Sequence, residues 1–281
     1  EVMIVDPSYP NNFQAVEILG GVPVSVPVRP ETGFELEIEE FERRLTDKTK
    51  LVILTNPNNP TTVVYSRESL EQLAAFIIKH DLLAIVDQAF EDIVYDGREM
   101  VSLGSLDGML QKTVTIFSIS KGMGLSGFRV GCIVASDRLI DTLFASAVSV
   151  VGATNTAAQL AAIAAYGKRD ELVAEYSVIF DKRRRFVYEA LSDIPGVRVQ
   201  MPQSAFLSWI NVSQLGTSDE IVDYLVREAK VFVNSGNCYG SQGEGYIRLV
   251  QGCYADDADI EQAVLRIREA LLKKSRELGI S

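Results

Sequence analysis

Apolar runs of strand length recur through residues 1–150, separated by stretches with helical spacing. Residues 2–5, 51–55, 82–86, 114–117 and 130–135 are the predicted strands. Between the second and third of these, Leu70, Leu73, Ala74 and Ile77 recur at i, i+3, i+4 and i+7, which predicts an amphipathic helix from Ser66 to His80 and a βαβ crossover. A further helix is expected after Asp137, whose carboxylate can cap it, and the Ala-rich stretch 153–165 reads as a buried helix. This rhythm is that of an α/β domain with a mainly parallel central sheet and helices on both faces.

Residues 169–191 form one long helical pattern, with Leu172, Tyr176, Ile179, Phe186 and Ala190 on one side. The basic run Lys182-Arg183-Arg184-Arg185 interrupts it and reads as a solvated face. Short predicted strands at 197–199, 206–210, 231–233 and 246–250 then mix with helices starting at Ser218 and Asp256, the pattern of a smaller α+β domain. The expected division is 1–168 for the large domain and 169–281 for the connector helix and small domain. No internal repeat or low-complexity segment is visible. Glu1-Val-Met-Ile-Val-Asp6 has the composition of an interior strand, so sequence upstream of it is expected.

Composition narrows the function. With 281 residues and 47% hydrophobic content the chain can fill a sizeable core. Lys+Arg 27 against Asp+Glu 38 gives a net charge of −11, and no basic cluster is interleaved with aromatics, so nucleic acid is not expected as a direct partner. No apolar run approaches the roughly 20 residues needed to cross a bilayer, and no basic segment leads into an apolar one at the start. A cytoplasmic protein without a membrane span is expected. Cys132, Cys238 and Cys253 are widely spaced, without a C-x-x-C pair, which suits buried thiols in a reducing compartment and gives no metal site. The one histidine, His80, falls where a helix should end, so it is read as structural.

The chemistry concentrates in Ser118-Ile-Ser-Lys-Gly-Met-Gly-Leu-Ser-Gly-Phe-Arg-Val-Gly131, where a lysine stands among small residues on a turn between two strands read as buried. An ammonium there is costly, and condensation of the amine with an aldehyde would remove much of that cost. Ser118 and Arg129, with Ser120 as an additional donor, suit a phosphate dianion. Taken alone, the stretch also fits a surface turn with an incidental lysine. Ser118-x-x-Lys121 further matches the nucleophile motif of penicillin-binding enzymes, but neither Ser-Asp-Asn nor Lys-Thr-Gly occurs in the chain. Upstream, Asn56-Pro-Asn-Asn-Pro-Thr61 follows a predicted strand and Asp87 follows the next, both at strand ends facing the usual ligand crevice of an open α/β sheet. A carboxylate at a buried strand end needs a cationic or hydrogen-bonding partner. Arg248 in Tyr246-Ile-Arg-Leu-Val250 is one arginine inside an apolar strand, and a substrate carboxylate would fit its planar fork.

In order and rough spacing, Asn59, Asp87, Ser118, Lys121, Arg129 and Arg248 resemble the class I/II aminotransferases, pyridoxal-phosphate (PLP) enzymes of fold type I, over essentially the whole chain. The resemblance implies that Lys121 carries pyridoxal 5'-phosphate as a Schiff base and that Asp87 pairs with its pyridine nitrogen. It implies Asn59 on the phenolic oxygen, Ser118, Ser120 and Arg129 on the phosphate, and Tyr9 of Pro7-Ser-Tyr-Pro-Asn11 stacked on the ring. Arg248, beside Asn59, would take the substrate α-carboxylate. Members normally carry a further N-terminal segment, on the order of a hundred residues, and the resemblance implies a homodimer. Phe90 stands where the family usually has a tyrosine that donates to the phenolic oxygen, and phenylalanine there also resembles threonine-phosphate decarboxylases of the cobalamin pathway. Thr62 stands in place of the glycine that ends N-P-x-N-P-T-G, read as a local backbone change without chemical meaning.

The activity so implied is transfer of an amino group between an L-amino acid and a 2-oxo acid. Lys121 would remove the Cα proton and Asp87 would stabilise the electron sink. A decarboxylase or β-lyase of the same fold shares these early steps. A different class of reading is a non-catalytic sensor domain of a transcription regulator.

Overall fold

The computed structural model describes residues 1–280. Its first sheet has six strands, β1 (Val2–Asp6), β2 (Pro23–Pro27), β3 (Leu51–Thr55), β4 (Leu83–Asp87), β5 (Thr113–Ser118) and β6 (Gly131–Val134), in the order β2-β1-β3-β4-β5-β6. The first five are parallel, because helices return the chain between them: α1 (Pro10–Ile18) after β1, α2 (Ile38–Arg44) before β3 and α3 (Arg67–Lys79) between β3 and β4. The α3 crossover is the one its spacing predicts, with Ser66 capping its start and His80 closing its end. The last strand, β6, runs antiparallel to β5, since only the lysine-bearing turn joins them. Thr55 pairs with Asp87 in register, so the strands end together and their carboxyl ends form one edge.

Helices α4 (Asp137–Val150), α5 (Thr156–Tyr166) and α6 (Arg169–Leu191) follow. The second sheet is antiparallel in the order β7-β8-β10-β9, from β7 (Arg198–Val199), β8 (Leu207–Asn211), β9 (Asn234–Ser235) and β10 (Tyr246–Val250). It packs against α6, α7 (Ser218–Glu228) and α8 (Asp257–Glu277) around Val187, Leu191, Ile210, Ile247 and Ile267. A capping box between Thr217 and Glu220 starts α7. The main core, between the first sheet and α2 and α3, also takes in Trp209, Tyr239 and Tyr246 from the second half of the chain. The buried Asp6 carboxylate, at the end of β1, accepts hydrogen bonds from Ser25 and from the backbone and hydroxyl of Ser241, tying that half to the first sheet.

Several expectations are corrected. Arg183 and Arg184 are buried rather than solvated. All three cysteines are exposed. The strand read at 130–135 is an exposed edge, because β6 has one neighbour and no helix covers it fully. In α5, Ala158, Ala162 and Ala165 are buried, but Leu160 and Ile163 are more than 60% exposed. Asp137 is the first helical residue of α4 and makes no side-chain cap. Residues 231–233 pair with nothing, and β10 instead meets Asn234 and Ser235. Thr62, where the family motif has glycine, adopts φ 66, in the left-handed region that favours glycine.

Candidate active site

The turn after β3 contains three asparagines, and the fold uses them differently. Asn56 donates to the Val101 carbonyl and accepts from the Tyr65 amide. Asn58 accepts from the Thr61 amide and hydroxyl and donates to the Tyr65 hydroxyl. Both are consumed in building the turn. Asn59 instead faces a cavity of about 510 Å³ at the carboxyl edge of the sheet, and its Oδ1 accepts from Arg248 Nη1 at 3.0 Å.

All nine candidate site residues line that cavity: Tyr9, Asn59, Asp87, Phe90, Ser118, Ser120, Lys121, Arg129 and Arg248. Asp87 closes β4, and its Oδ1 accepts the Ala89 amide at 3.0 Å. Burial raises its carboxyl above the ordinary range, opposed by that hydrogen bond and by the charge of Lys121. Lys121 is half-buried, with Nζ 5.7 Å from the Phe90 ring centroid and 5.8 Å from that of Phe206. Among the described residues no carboxylate forms an ion pair with it. Burial lowers its pKa, and the charges of Arg248 and Arg129 act in the same direction, against Asp87. The amine is thereby kept closer to its nucleophilic, neutral form.

Beside the lysine, Ser118 Oγ accepts the Ser120 amide at 3.1 Å. Arg129 sits in a left-handed conformation with Nη1 on the Ser126 carbonyl at 2.8 Å, leaving the rest of its fork for a ligand. Two hydroxyls and a guanidinium on one wall suit a phosphate. Opposite, Arg248 Nη2 donates to Asn234 Oδ1 at 2.8 Å, its guanidinium lies 4.9 Å from the Tyr239 ring centroid, and its buried Nε has no partner. An arginine oriented only by neutral amides keeps its full charge for an anion. Tyr9, just ahead of α1, stands at the rim.

Asn12, Thr55, Ser126 and Phe206 also line the cavity and were not found from the sequence. Asn12 donates to Ser8 Oγ and Thr55 Oγ1, at 2.9 and 3.1 Å, which fixes the start of α1 against the end of β3. Its position three residues after Tyr9 on a helix start was the available signal. Phe206 stacks edge-on to Phe90 at 5.4 Å, a contact across 116 residues that no local pattern announces.

The donor set fits a phosphorylated pyridinium aldehyde on structural grounds: an amine without an ion pair, a strand-end carboxylate short of a cation, and phosphate donors on one wall. The chain matches the family Aminotransferase class I and II over residues 1–267. It is 33% identical over 280 residues to an aromatic-amino-acid aminotransferase 2 of Thermococcus litoralis and 34% identical over 280 residues to an aspartate aminotransferase of Pyrococcus abyssi, covering 98% of this chain and 70% of each relative. The crystal structure of an aromatic aminotransferase from Pyrococcus horikoshii superimposes with a TM-score of 0.92 at 32% identity, covering 99% of this chain and 74% of that one. The two sheets thus form the fold type I architecture, and the chain belongs to the class I and II aminotransferases, enzymes that transfer an amino group between an amino acid and a 2-oxo acid.

Proposed function

We propose that Lys121 holds pyridoxal 5'-phosphate covalently and that the residues around it divide the work of amino transfer. Ser118, Ser120 and Arg129 bind the phosphate. Asp87 accepts the pyridine N–H, and the cation there restores the charged carboxylate that burial disfavours. Asn59 donates to the phenolic oxygen, and Tyr9 covers the ring. The cofactor, when bound, supplies an electron sink for charge developing at the substrate α-carbon. Lys121 Nζ then takes and returns the α-proton, a task for which its burial-lowered basicity is suited. Arg248 clamps the α-carboxylate of the amino acid or 2-oxo acid, with Asn59 and Asn234 fixing its plane. In this assignment residues 1–168 carry the cofactor and residues 169–281 the carboxylate clamp, and the enzyme works as a homodimer.

The observation that carries this is the half-buried Lys121 amine, without an ion pair, facing Asp87 and the phosphate donors across one cavity. Aspartate and aromatic amino acids, which give two of the relatives their names, are the first donors to assay. Borohydride treatment of the loaded protein should fix the cofactor to the peptide containing Lys121. Lys121→Ala should show no such adduct and lose about 10⁴-fold in rate. An adduct on another lysine, or a fully active Lys121→Ala protein, would refute the assignment.

A further inference from the structure

Lys121 is followed by Gly122, and Gly122 has no space for a side chain. A Cβ built there would lie 2.3 Å from both Cβ and Oδ2 of Asp92 and 2.7 Å from its Cγ. The Asp92 side chain fills that position. It is only 4% exposed and pairs with the guanidinium of Arg169, the first residue of α6. Neither Asp92 nor Arg169 lines the cavity that holds Lys121 Nζ.

The rest of the turn leans on the same helices. Gly124 faces α6 as well, where a Cβ would stand 3.0 Å from the Tyr176 hydroxyl. Ile119 and Met123 are buried in a cluster with Ala162 and Ala165 of α5, against Leu172 of α6. Two backbone hydrogen bonds close the turn, Gly124 N–H to the Lys121 carbonyl and Leu125 N–H to that of Ile119, both 3.2 Å. Further along, α6 packs on α8 and on β7 and β8 of the sheet that presents Arg248.

We propose that Asp92 is a positioning residue for Lys121: held by Arg169 and seated on Gly122, it fixes the lysine-bearing turn to the head of α6, and so fixes the amine relative to the sheet that carries Arg248. This rests on the assignment of Lys121 above. A buried carboxylate deprived of its cation is left as an uncompensated charge and must move toward another partner or water. Such a movement reaches Gly122 directly, and a displacement approaching 1 Å at a reacting group costs up to about 100-fold in rate.

The test uses Asp92→Asn, Arg169→Met, their combination, and Arg169→Lys in the cofactor-loaded enzyme. Asp92→Asn and Arg169→Met should each lower kcat by about 10- to 100-fold with KM changed less than about threefold. The combination should be no worse than the poorer single variant, and Arg169→Lys should recover most of the rate. Hydrogen exchange gives a readout independent of activity. In the cofactor-free protein, a peptide spanning 119–125 should exchange faster in Asp92→Asn while peptides from β8 and β10 are unchanged. If Asp92→Asn does not fold, Arg169 is 43% exposed and its two variants decide the matter. Unchanged kcat in both single variants, or exchange raised equally across the molecule, overturns the proposal. Should Lys121→Ala be inactive while these variants are normal, the positioning role alone fails; an active Lys121→Ala removes its premise.

Discussion

Arg184 and Lys121 are both cations taken largely out of water, and the protein treats them in opposite ways. Arg184, in the middle of α6, is fully buried. Its Nε donates to Asp181, both terminal nitrogens to Asp96, and one also to the Pro202 carbonyl. The guanidinium lies 4.1 Å from the Tyr95 ring centroid. Its neighbour Arg183 is satisfied in the same way by Asp257 and the carbonyls of Gln251, Tyr254 and Ala255. Lys121 has aromatic rings and two arginines around it, and Asp87 acts on it without forming an ion pair. Burial of a charge by itself therefore does not mark chemistry. A buried cation whose donors are all answered by protein acceptors is architecture, and one left unanswered at a strand edge waits for a ligand.

Arg248 lies between these extremes, since amide oxygens orient it without neutralising it. After Lys121→Ala, the largest effect is expected here. Arg248→Lys keeps the charge but loses the fork, and with a charge-assisted hydrogen bond worth about 1.5–3 kcal/mol, kcat/KM for the best amino-acid donor should fall roughly 100-fold, mostly through KM. A KM within twofold of the parent would show that the substrate carboxylate binds elsewhere. Next in size, Arg184→Met should lower stability in urea by about 2 kcal/mol, less than for a fully enclosed pair because Asp96 and Asp181 are 44% and 36% exposed and can rehydrate. The kcat of the folded variant should stay within twofold. A tenfold loss of kcat in fully folded Arg184→Met would erase the distinction between the two clusters.

The same distinction explains what could be read in the sequence. The strand at 51–55 and the long helix at 169–191 have the bounds that the sequence pattern assigns: the first is one continuous apolar run, and the second carries recurring apolar positions along its length. Missing from the reading were α1, α2 and β2. Prolines bracket β2, and α2 is a short, charge-rich Ile-Glu-Glu-Phe-Glu-Arg-Arg turn with one dominant apolar anchor, Phe41. Among the candidate site residues, Asn59 and Asp87 were legible because polar groups at the ends of apolar strands conflict with local expectation, and Arg248 because it stands inside one; Tyr9 and Phe90 came from the family resemblance. Arg183 and Arg184 were misread because, Asp181 apart, their acidic partners lie far off in the sequence: Asp96 is 88 positions from Arg184 and Asp257 is 74 from Arg183. Asp92 escaped notice for the same reason, since its meaning comes from Gly122 and Arg169.

Glu91 carries the comparison over to acids, and gives the smallest expected effect. It follows Phe90 in the loop that leaves the cavity, and Gln88 Nε2 donates to it at 3.1 Å, a neutral partner of the kind that orients Arg248. Burial, helped by the adjacent Asp92 charge and opposed by Arg169, pushes its carboxyl up to about 7 from an ordinary 4.5. A raised folded pKa means that the native state holds the proton more tightly than the unfolded chain does. Glu91's contribution is thus fully present below pH 4.5 and is lost as pH rises through about 7. Full conversion of that difference would give roughly 3 kcal/mol, but water screens a half-exposed carboxyl and about 1 kcal/mol is expected. Glutamine at 91 keeps an acceptor for Gln88 and cannot ionise. Glu91→Gln should therefore be about 1 kcal/mol more stable than the parent at pH 8 and indistinguishable from it near pH 4. Urea unfolding at the two pH values, with both proteins in the same cofactor state, measures this directly. A gain of equal size at both pH values would trace the effect to packing, and a loss at pH 8 would mean that Arg169 answers Glu91 as fully as Asp96 answers Arg184.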